Sequence, residues 1–343
     1  MVQWLVSAAV VVGIFAFAIP KIAAYSDVWG TVRGLDSDYL WWLVAATLFN
    51  LVTTWWQNMA TLPGLRFAQS AVLTQTGATV ANVVPGGGAV AVGLTVAILR
   101  SWGFTAASMA LLVTVTGVWN MFLRLGLPAI ALGFLAVQGT ADPRLVTAVV
   151  IGVGTLVVAL VLFGLVLWKE QLARRVGDSL ERLVRRGTHR PWLHGLGDRA
   201  VSFRRHTIRL IASRWLPITV TTGLSHLALW AVLVLALRGL GVPHSQVTLS
   251  ESLAVFAFGR LITALPVTPG GLGVLELGYI GGLVAAGGNN ERVVAAVLLF
   301  RALTYGVQVP LGGLTYLVWR GKRSWLRPAE ALDGMLVAEG MGE

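Results

Sequence analysis

Arg124, Arg260, Glu276 and Arg301 each fall inside a run of apolar residues, and Arg100 closes another such run. A charge at the centre of a lipid bilayer costs at least about 2.5 kcal/mol on insertion scales, so each of these groups needs a partner, a protein-lined cavity or a task. Arg124 and Arg301 lie too far inside their stretches to reach an interface easily, and both are expected to point into a helix bundle. Four arginines against one carboxylate leave a positive interior that favours an anion. The planar guanidinium fork suits phosphate, which phospholipids and polyprenyl carriers share. Glu276 has two readings: a structural pair with an arginine that fixes helix packing, or a gate.

Two breaks stand beside these charges. Pro85, Gly86 and Gly87 interrupt the apolar region 67–99, and Pro269, Gly270 and Gly271 interrupt 251–287. Irregular backbone inside lipid leaves amides and carbonyls unpaired at several kcal/mol each, so a break at that depth implies a cavity lined by protein or water. The half-helix that starts after each break aims free N–H groups and a positive dipole end forward, which suits an anion. The plainer alternative is an interfacial loop between two tilted helices.

The elements that must carry these residues follow from composition. Of 343 residues, 56% are hydrophobic and 12% charged, the profile of an integral membrane protein. Six segments are long enough to cross a core of about 30 Å: 2–19, 39–62, 105–136, 145–168, 216–238 and 292–319. Val2 is not preceded by a basic residue, so the first segment is expected to be a retained helix and not a cleaved signal peptide.

Between Lys169 and Arg214 lie twelve Lys or Arg against four Asp or Glu, flanked by Trp168 and Trp215. The positive-inside rule makes this basic loop cytoplasmic, with the tail after Trp319 on the same side. An even number of crossings must then separate loop and tail, so 251–287 adds none or two. Halves of about 15 residues reach only roughly 22 Å, which favours a re-entrant hairpin. Counting back, 67–99 is a second hairpin from the opposite face and the N-terminus is cytoplasmic.

The expected fold is therefore an all-α integral membrane domain of about six transmembrane helices plus two Pro-Gly-Gly-broken re-entrant hairpins. It is arranged as two pseudo-repeat halves, 1–168 and 215–320, around loop 169–214, with a cytoplasmic tail 321–343. Asn82-Val-Val-Pro-Gly-Gly-Gly88 matches Pro266-Val-Thr-Pro-Gly-Gly-Leu272, and each is followed by an arginine and then a proline: Arg124 with Pro128, and Arg301 with Pro310. Opposed broken helices from two halves are how many transporters build their sites.

Other chemistry is thinly represented. There is no cysteine, so no thiol nucleophile, disulfide or thiolate metal site is expected. His189, His194, His206, His226 and His244 lack metal-ligand spacing, and no metal or other cofactor is expected. Gly86-Gly-Gly88 lacks the Lys and Ser or Thr of a nucleotide loop. Gly278 and Gly282 are a small-xxx-small step for close helix packing. The net charge of +11 crowds into one loop and the tail, which points to anionic lipid and not nucleic acid.

Leu265-Pro-Val-Thr-Pro-Gly-Gly-Leu-Gly-Val-Leu-Glu276, with Leu299-Phe-Arg-Ala-Leu-Thr-Tyr-Gly-Val-Gln-Val-Pro310, resembles the membrane domain of the lysylphosphatidylglycerol synthase/flippase family. Val84-Pro-Gly-Gly-Gly88 with Leu99-Arg-Ser-Trp-Gly103 is similar to an earlier block of that family, and the resemblance spans roughly residues 5–320. It implies a flippase fold whose central cavity passes phospholipid or polyprenyl-linked head groups between leaflets, lined by the two breaks, Glu276 and Arg301. Two departures qualify it. The sequence ends at Glu343, so the soluble aminoacyl-transfer domain, and with it lysyl transfer, is not expected. Gly88-Ala-Val-Ala-Val also lacks the Glu of the family's Gly-Glu-x-x-Arg pattern.

A flippase for an anionic lipid, not an enzyme, is the expected function. A membrane-embedded lipid-modifying transferase and a non-transporting lipid-binding subunit are the alternatives. The expected partners are a membrane lipid with an anionic head group and a lipid- or glycolipid-synthesising enzyme.

Overall fold

A computed structural model describes residue 19 and residues 25–84, 86–137, 143–185, 196–263, 268–322 and 325. The first apolar segment, 2–19, lies outside them apart from Ile19, as does most of the tail. Among the described residues the chain is helical, with no strand. The helices are α1 (Tyr25–Arg33), α2 (Ser37–Thr61), α3 (Phe67–Val83), α4 (Gly87–Ser101), α5 (Ala106–Val137), α6 (Pro143–Trp168), α7 (Glu170–Arg185), α8 (Leu196–Gly239), α9 (Leu249–Ile262), α10 (Val274–Ala285), α11 (Asn290–Arg301) and α12 (Gln308–Gly321). A 3₁₀ turn, Pro269–Gly271, precedes α10, and a π turn, Ala302–Gly306, links α11 to α12.

Among the described residues three helices are long and apolar enough to cross a membrane: Ala106–Val137, Ala200–Gly239 and the continuous run Asn290–Gly321. A fourth arises if α6 and α7, bent by 99° at Trp168–Lys169, count as one broken span. α2 reaches about 37 Å by its rise alone, with tryptophans Trp41, Trp42 and Trp56 exposed along it. α6 exposes Val150, Ile151, Val157, Val158 and Leu162, an apolar face that a water-soluble fold would cover.

The polar stretch 169–214 is largely helical. α7 is strongly two-faced, and the residues from Leu196 run without interruption into the apolar span to make one 44-residue helix. Arg204 of α8 donates to the carbonyls of Leu167 (2.8 Å) and Trp168 (2.9 Å), filling acceptors that the end of α6 leaves open.

Helix starts carry the caps their sequences announce. Thr248 and Glu251 form a reciprocal capping box on α9, and the Asn289 side chain accepts from the Arg292 amide on α11. Arg238 secures the end of α8 by donating to the carbonyls of Val242 and Val247, both at 2.7 Å.

Each Pro-Gly-Gly break is the turn of an antiparallel helical hairpin. In the first, a Cβ on Gly77 of α3 would touch Thr95 of α4, and one on Gly87 would run into the Val80 carbonyl. In the second, the α9–α10 pair closes over glycines. A Cβ on Gly259 would strike the Tyr279 ring, one on Gly282 would lie 2.9 Å from Val255, and one on Gly278 3.3 Å from Ile262. Gly278 and Gly282 thus serve close packing, as their spacing suggests. The main core is built by α8, α9, α10 and α11 with Leu127, Ala131 and Leu135 of α5; a second cluster gathers α3, α4 and Trp102. α3 also lies antiparallel to α12. Thr79 donates to the Gln308 carbonyl (2.9 Å), Thr76 and Thr315 hydroxyls are 3.1 Å apart, and Gly312 leaves room for Thr79. This seam brings the two halves of the chain together.

Candidate functional site

The Pro269–Gly271 turn and α10 deliver Glu276 into the protein interior. Gly270, Gly271 and Gly273 have φ of 60°, 70° and 80°, a conformation that L side chains adopt only at a cost. Glu276 then sits in the first turn of α10, where the helix dipole favours a carboxylate, with 1% of its surface exposed. Arg301, in the last turn of α11, donates from Nε to Glu276 Oε1 at 2.6 Å and from Nη2 to the Gly270 carbonyl at 3.1 Å. One guanidinium therefore binds both the carboxylate and the backbone of the turn ahead of it. Glu276 Oε2 is buried without a hydrogen-bond partner.

The same arginine leads to the other half. Its guanidinium carbon stands 4.8 Å from the centre of the Tyr305 ring, and the Tyr305 hydroxyl donates to the Asn82 carbonyl at 3.0 Å. Asn82 belongs to the last turn of α3, at the edge of the first break. A Cβ on Gly270 would collide with the Tyr305 ring and lie 3.1 Å from Asn82 Oδ1, so glycine is what lets the second turn approach the first. Tyr305 lies in the π turn, where the Val307 amide reaches back five residues to Ala302 at 3.0 Å. The extra residue in that turn shifts the phase between α11 and α12. Pro310, with no N–H of its own, cannot bond the Gly306 carbonyl.

A second group of polar side chains lies where α5, α8 and α9 pack on one another pairwise. Arg124 is interior to α5, His226 is buried on α8, and Arg260 is in the last turn of α9. Arg124 and Arg260 act electrostatically on each other and both act on His226, while Arg260 is also within reach of Arg301 and Tyr279. The Nε of Arg124, the Nε of Arg260 and the Nε2 of His226 are buried with no hydrogen-bond partner. Among the described residues neither arginine has an ion pair. Further polar contacts hold α2 against α8 beside this group. Gln57 donates to the Thr222 hydroxyl and Asn50 to the Ser225 carbonyl, both at 2.8 Å.

Of the residues expected from the sequence, Gly270, Gly271, Glu276 and Arg301 come together directly, and Pro269 opens their turn. Arg260 connects them electrostatically to Arg124. Gly86, with φ of 67°, and Gly87 lie in the first turn, four and five residues from Asn82. Pro85 lies outside the described residues, and nothing beyond Pro269's backbone is described. Arg100 stands apart: it is exposed in the last turn of α4, next to Ser101, whose hydroxyl accepts from Trp319 Nε1 at 2.9 Å.

Three participants were not singled out by sequence. Asn82 and Tyr305 carry no spacing signal, although both sit beside motifs that do. His226 stands alone in the sequence and finds its neighbours only through packing. No cluster of three or more metal-ligating side chains occurs among the described residues.

A search of curated proteins found no match. Residues 4–312 match the family model described as lysylphosphatidylglycerol synthase TM region, and with its long apolar helices the chain is a multi-pass membrane protein belonging to that family.

Proposed function

We propose that the protein is a lipid flippase, moving an anionic phospholipid or a polyprenyl-phosphate-linked head group between the leaflets of the cell membrane. The observation that carries this reading is the junction of the two breaks, in which Arg301 holds Glu276 and the Gly270 carbonyl while Tyr305 reaches Asn82 in the other half. On this reading both hairpins are re-entrant and enter from opposite faces, and the junction is the closed gate between them. Charge supplies the attraction. Glu276 occupies Arg301, so the remaining cations, Arg124 and Arg260, face a head group with no carboxylate paired to them among the described residues. Acyl or prenyl tails stay in lipid along the exposed apolar helices. On this reading loop 169–214 and the C-terminal tail lie in the cytoplasm by the positive-inside rule, and the N-terminus joins them by counting the crossings back from the loop.

The test is reconstitution of the whole chain in liposomes carrying a fluorescent phosphatidylglycerol, followed by quenching of the outer leaflet. The protein is expected to expose label that empty liposomes retain, and Arg301→Ala to lose most of that effect. Equal quenching with and without protein overturns the flippase reading. A new lipid product detected by mass spectrometry would replace it with a transferase.

A further inference from the structure

His226 shows what the head group has to present besides charge. Its Nδ1 faces the Thr222 carbonyl at 3.1 Å, and the neighbouring Ser225 hydroxyl, which itself donates to Thr222, lies 3.4 Å away. A carbonyl oxygen has only lone pairs to offer, so the proton of the neutral ring resides on Nδ1. Nε2 is then an acceptor, and it is buried with no donor to satisfy it. Arg124 and Arg260, both within electrostatic reach of the ring, each bury an Nε–H with no acceptor. Other buried atoms, such as Thr116 Oγ1, also lack a partner, but these two donors and one acceptor sit on three helices that pack pairwise and act electrostatically on one another, which makes them the complement of a missing ligand.

We infer that Arg124, Arg260 and His226 form a binding site for a phosphate ester that carries a free hydroxyl close to its phosphate. The phosphate oxygens accept from the two guanidinium groups and the hydroxyl donates to His226 Nε2. A bare phosphate monoanion meets two of the three requirements and leaves the imidazole acceptor open, at the cost of an unsatisfied buried group. An ammonium head group has N–H donors for Nε2 but must approach two cations that have no ion pair among the described residues. Polyol head groups meet all three demands: glycerol or inositol on a phospholipid, or a sugar on a polyprenyl phosphate. This rests on the flippase reading for its substrate class, but the site itself is a binding property and is measurable without transport.

The full chain in nanodiscs, titrated with lipid and read by native mass spectrometry, tests it with pairs that differ only in the hydroxyl. Phosphatidylglycerol is expected to bind about tenfold more tightly than phosphatidylmethanol, the worth of one hydrogen bond to a buried acceptor, and phosphatidylethanolamine more weakly than either. A polyprenyl phosphate with and without one hexose forms the second pair. A preference confined to one pair identifies the source as glycerophospholipid or lipid-linked sugar. No preference in either pair, or no binding of any of these lipids, overturns the site.

His226→Leu is expected to erase the hydroxyl preference while retaining the affinity for phosphatidylmethanol. His226→Gln, whose amide oxygen is an acceptor, keeps most of the preference and covers the case in which the leucine variant does not fold. Arg260→Gln weakens every anionic lipid alike. A hydroxyl preference that survives His226→Leu overturns the assignment. If the preference is present but no lipid crosses the bilayer, the flippase reading fails and the site stands; if lipid crosses without the preference, the reverse holds.

Discussion

At the first break Gly86 turns with φ of 67°, and a side chain added there would meet open space; at the second, Gly270 turns with φ of 60°, and a side chain would strike Tyr305. Gly86 and Gly270 have nearly the same backbone angles, yet the crowding around them falls in different places. The first hairpin is tight within itself, where Gly87 presses on the Val80 carbonyl. The second, whose helices also close on each other over Gly259 and Gly282, is in addition tight against its neighbour at Gly270. The arginines differ in the same sense. Arg301 is bound by Glu276, whereas the position equivalent to Glu276, seven residues past Pro85, is Val92, and Arg124 has no ion pair among the described residues. Two similar stretches of sequence thus differ in their charges: after the second break an arginine is neutralised at a junction, and after the first Arg124 has no ion pair among the described residues.

The sharpest way to break this comparison is to remove each arginine in turn, since the two changes should move stability in opposite directions. Arg301→Leu strands a carboxylate that is almost fully buried and should cost about 3–5 kcal/mol, read as a large fall in the melting temperature of the solubilised protein, together with loss of lipid translocation. Restoring an apolar pair with Glu276→Leu in the same chain should recover most of the melting temperature but not the translocation. Arg124→Leu removes a cation that costs energy in an apolar helix. It should raise stability by about 1–3 kcal/mol while weakening the binding of anionic lipids. Equal destabilisation by both leucine variants would mean that the halves use their arginines alike.

Much of this arrangement was legible beforehand, for a physical reason. Prolines, glycines and charges are conspicuous within apolar runs because the membrane penalises them, so their presence demands an explanation at the level of single residues. The two Pro-Gly-Gly breaks, the arginines Arg124, Arg260 and Arg301 and the possibility of a Glu276–Arg301 pair stand out through that penalty, whereas reading the breaks as hairpins needs the parity of the basic segments as well. Asn82 and Tyr305 carry no such penalty: one contributes a backbone carbonyl that any residue has, and the other a phenol that is common in apolar helices. The proximity of Arg124, His226 and Arg260 depends on how α5, α8 and α9 pack, and residues 124, 226 and 260 are too far apart in sequence for spacing to reveal it. Nor does composition show that α8 runs on from the basic stretch, since charge locates a surface without saying whether the backbone there is helical.

Adding one methyl group at each turn sharpens the comparison on a finer scale. Gly86→Ala should cost only the strain of a left-handed alanine, roughly 1–2 kcal/mol. Gly270→Ala carries the same strain and must also displace the Tyr305 ring, so it should cost about 1–3 kcal/mol more, read as a lower melting temperature than that of Gly86→Ala. The larger contrast should appear in transport: Gly270→Ala forces the halves apart at the junction, and Gly86→Ala does not. Indistinguishable melting temperatures for the two alanine variants would remove the claim that crowding between the halves is particular to the second turn.

The smallest change tests the junction with least disturbance to its fold. Tyr305→Phe keeps the ring over Arg301 and removes only the hydroxyl that donates to the Asn82 carbonyl at 3.0 Å. One such bond is worth about 1 kcal/mol net, so the melting temperature should drop slightly while the Glu276–Arg301 pair persists. If the bond holds a gate shut, weakening it by that amount shifts a two-state balance toward the open form by about fivefold, and lipid should cross faster in the phenylalanine variant. A pair that only secures packing predicts the small loss of stability with no gain in rate. The direction of the rate change in Tyr305→Phe therefore separates a switch from a brace at the place where Glu276, Arg301 and the two breaks meet.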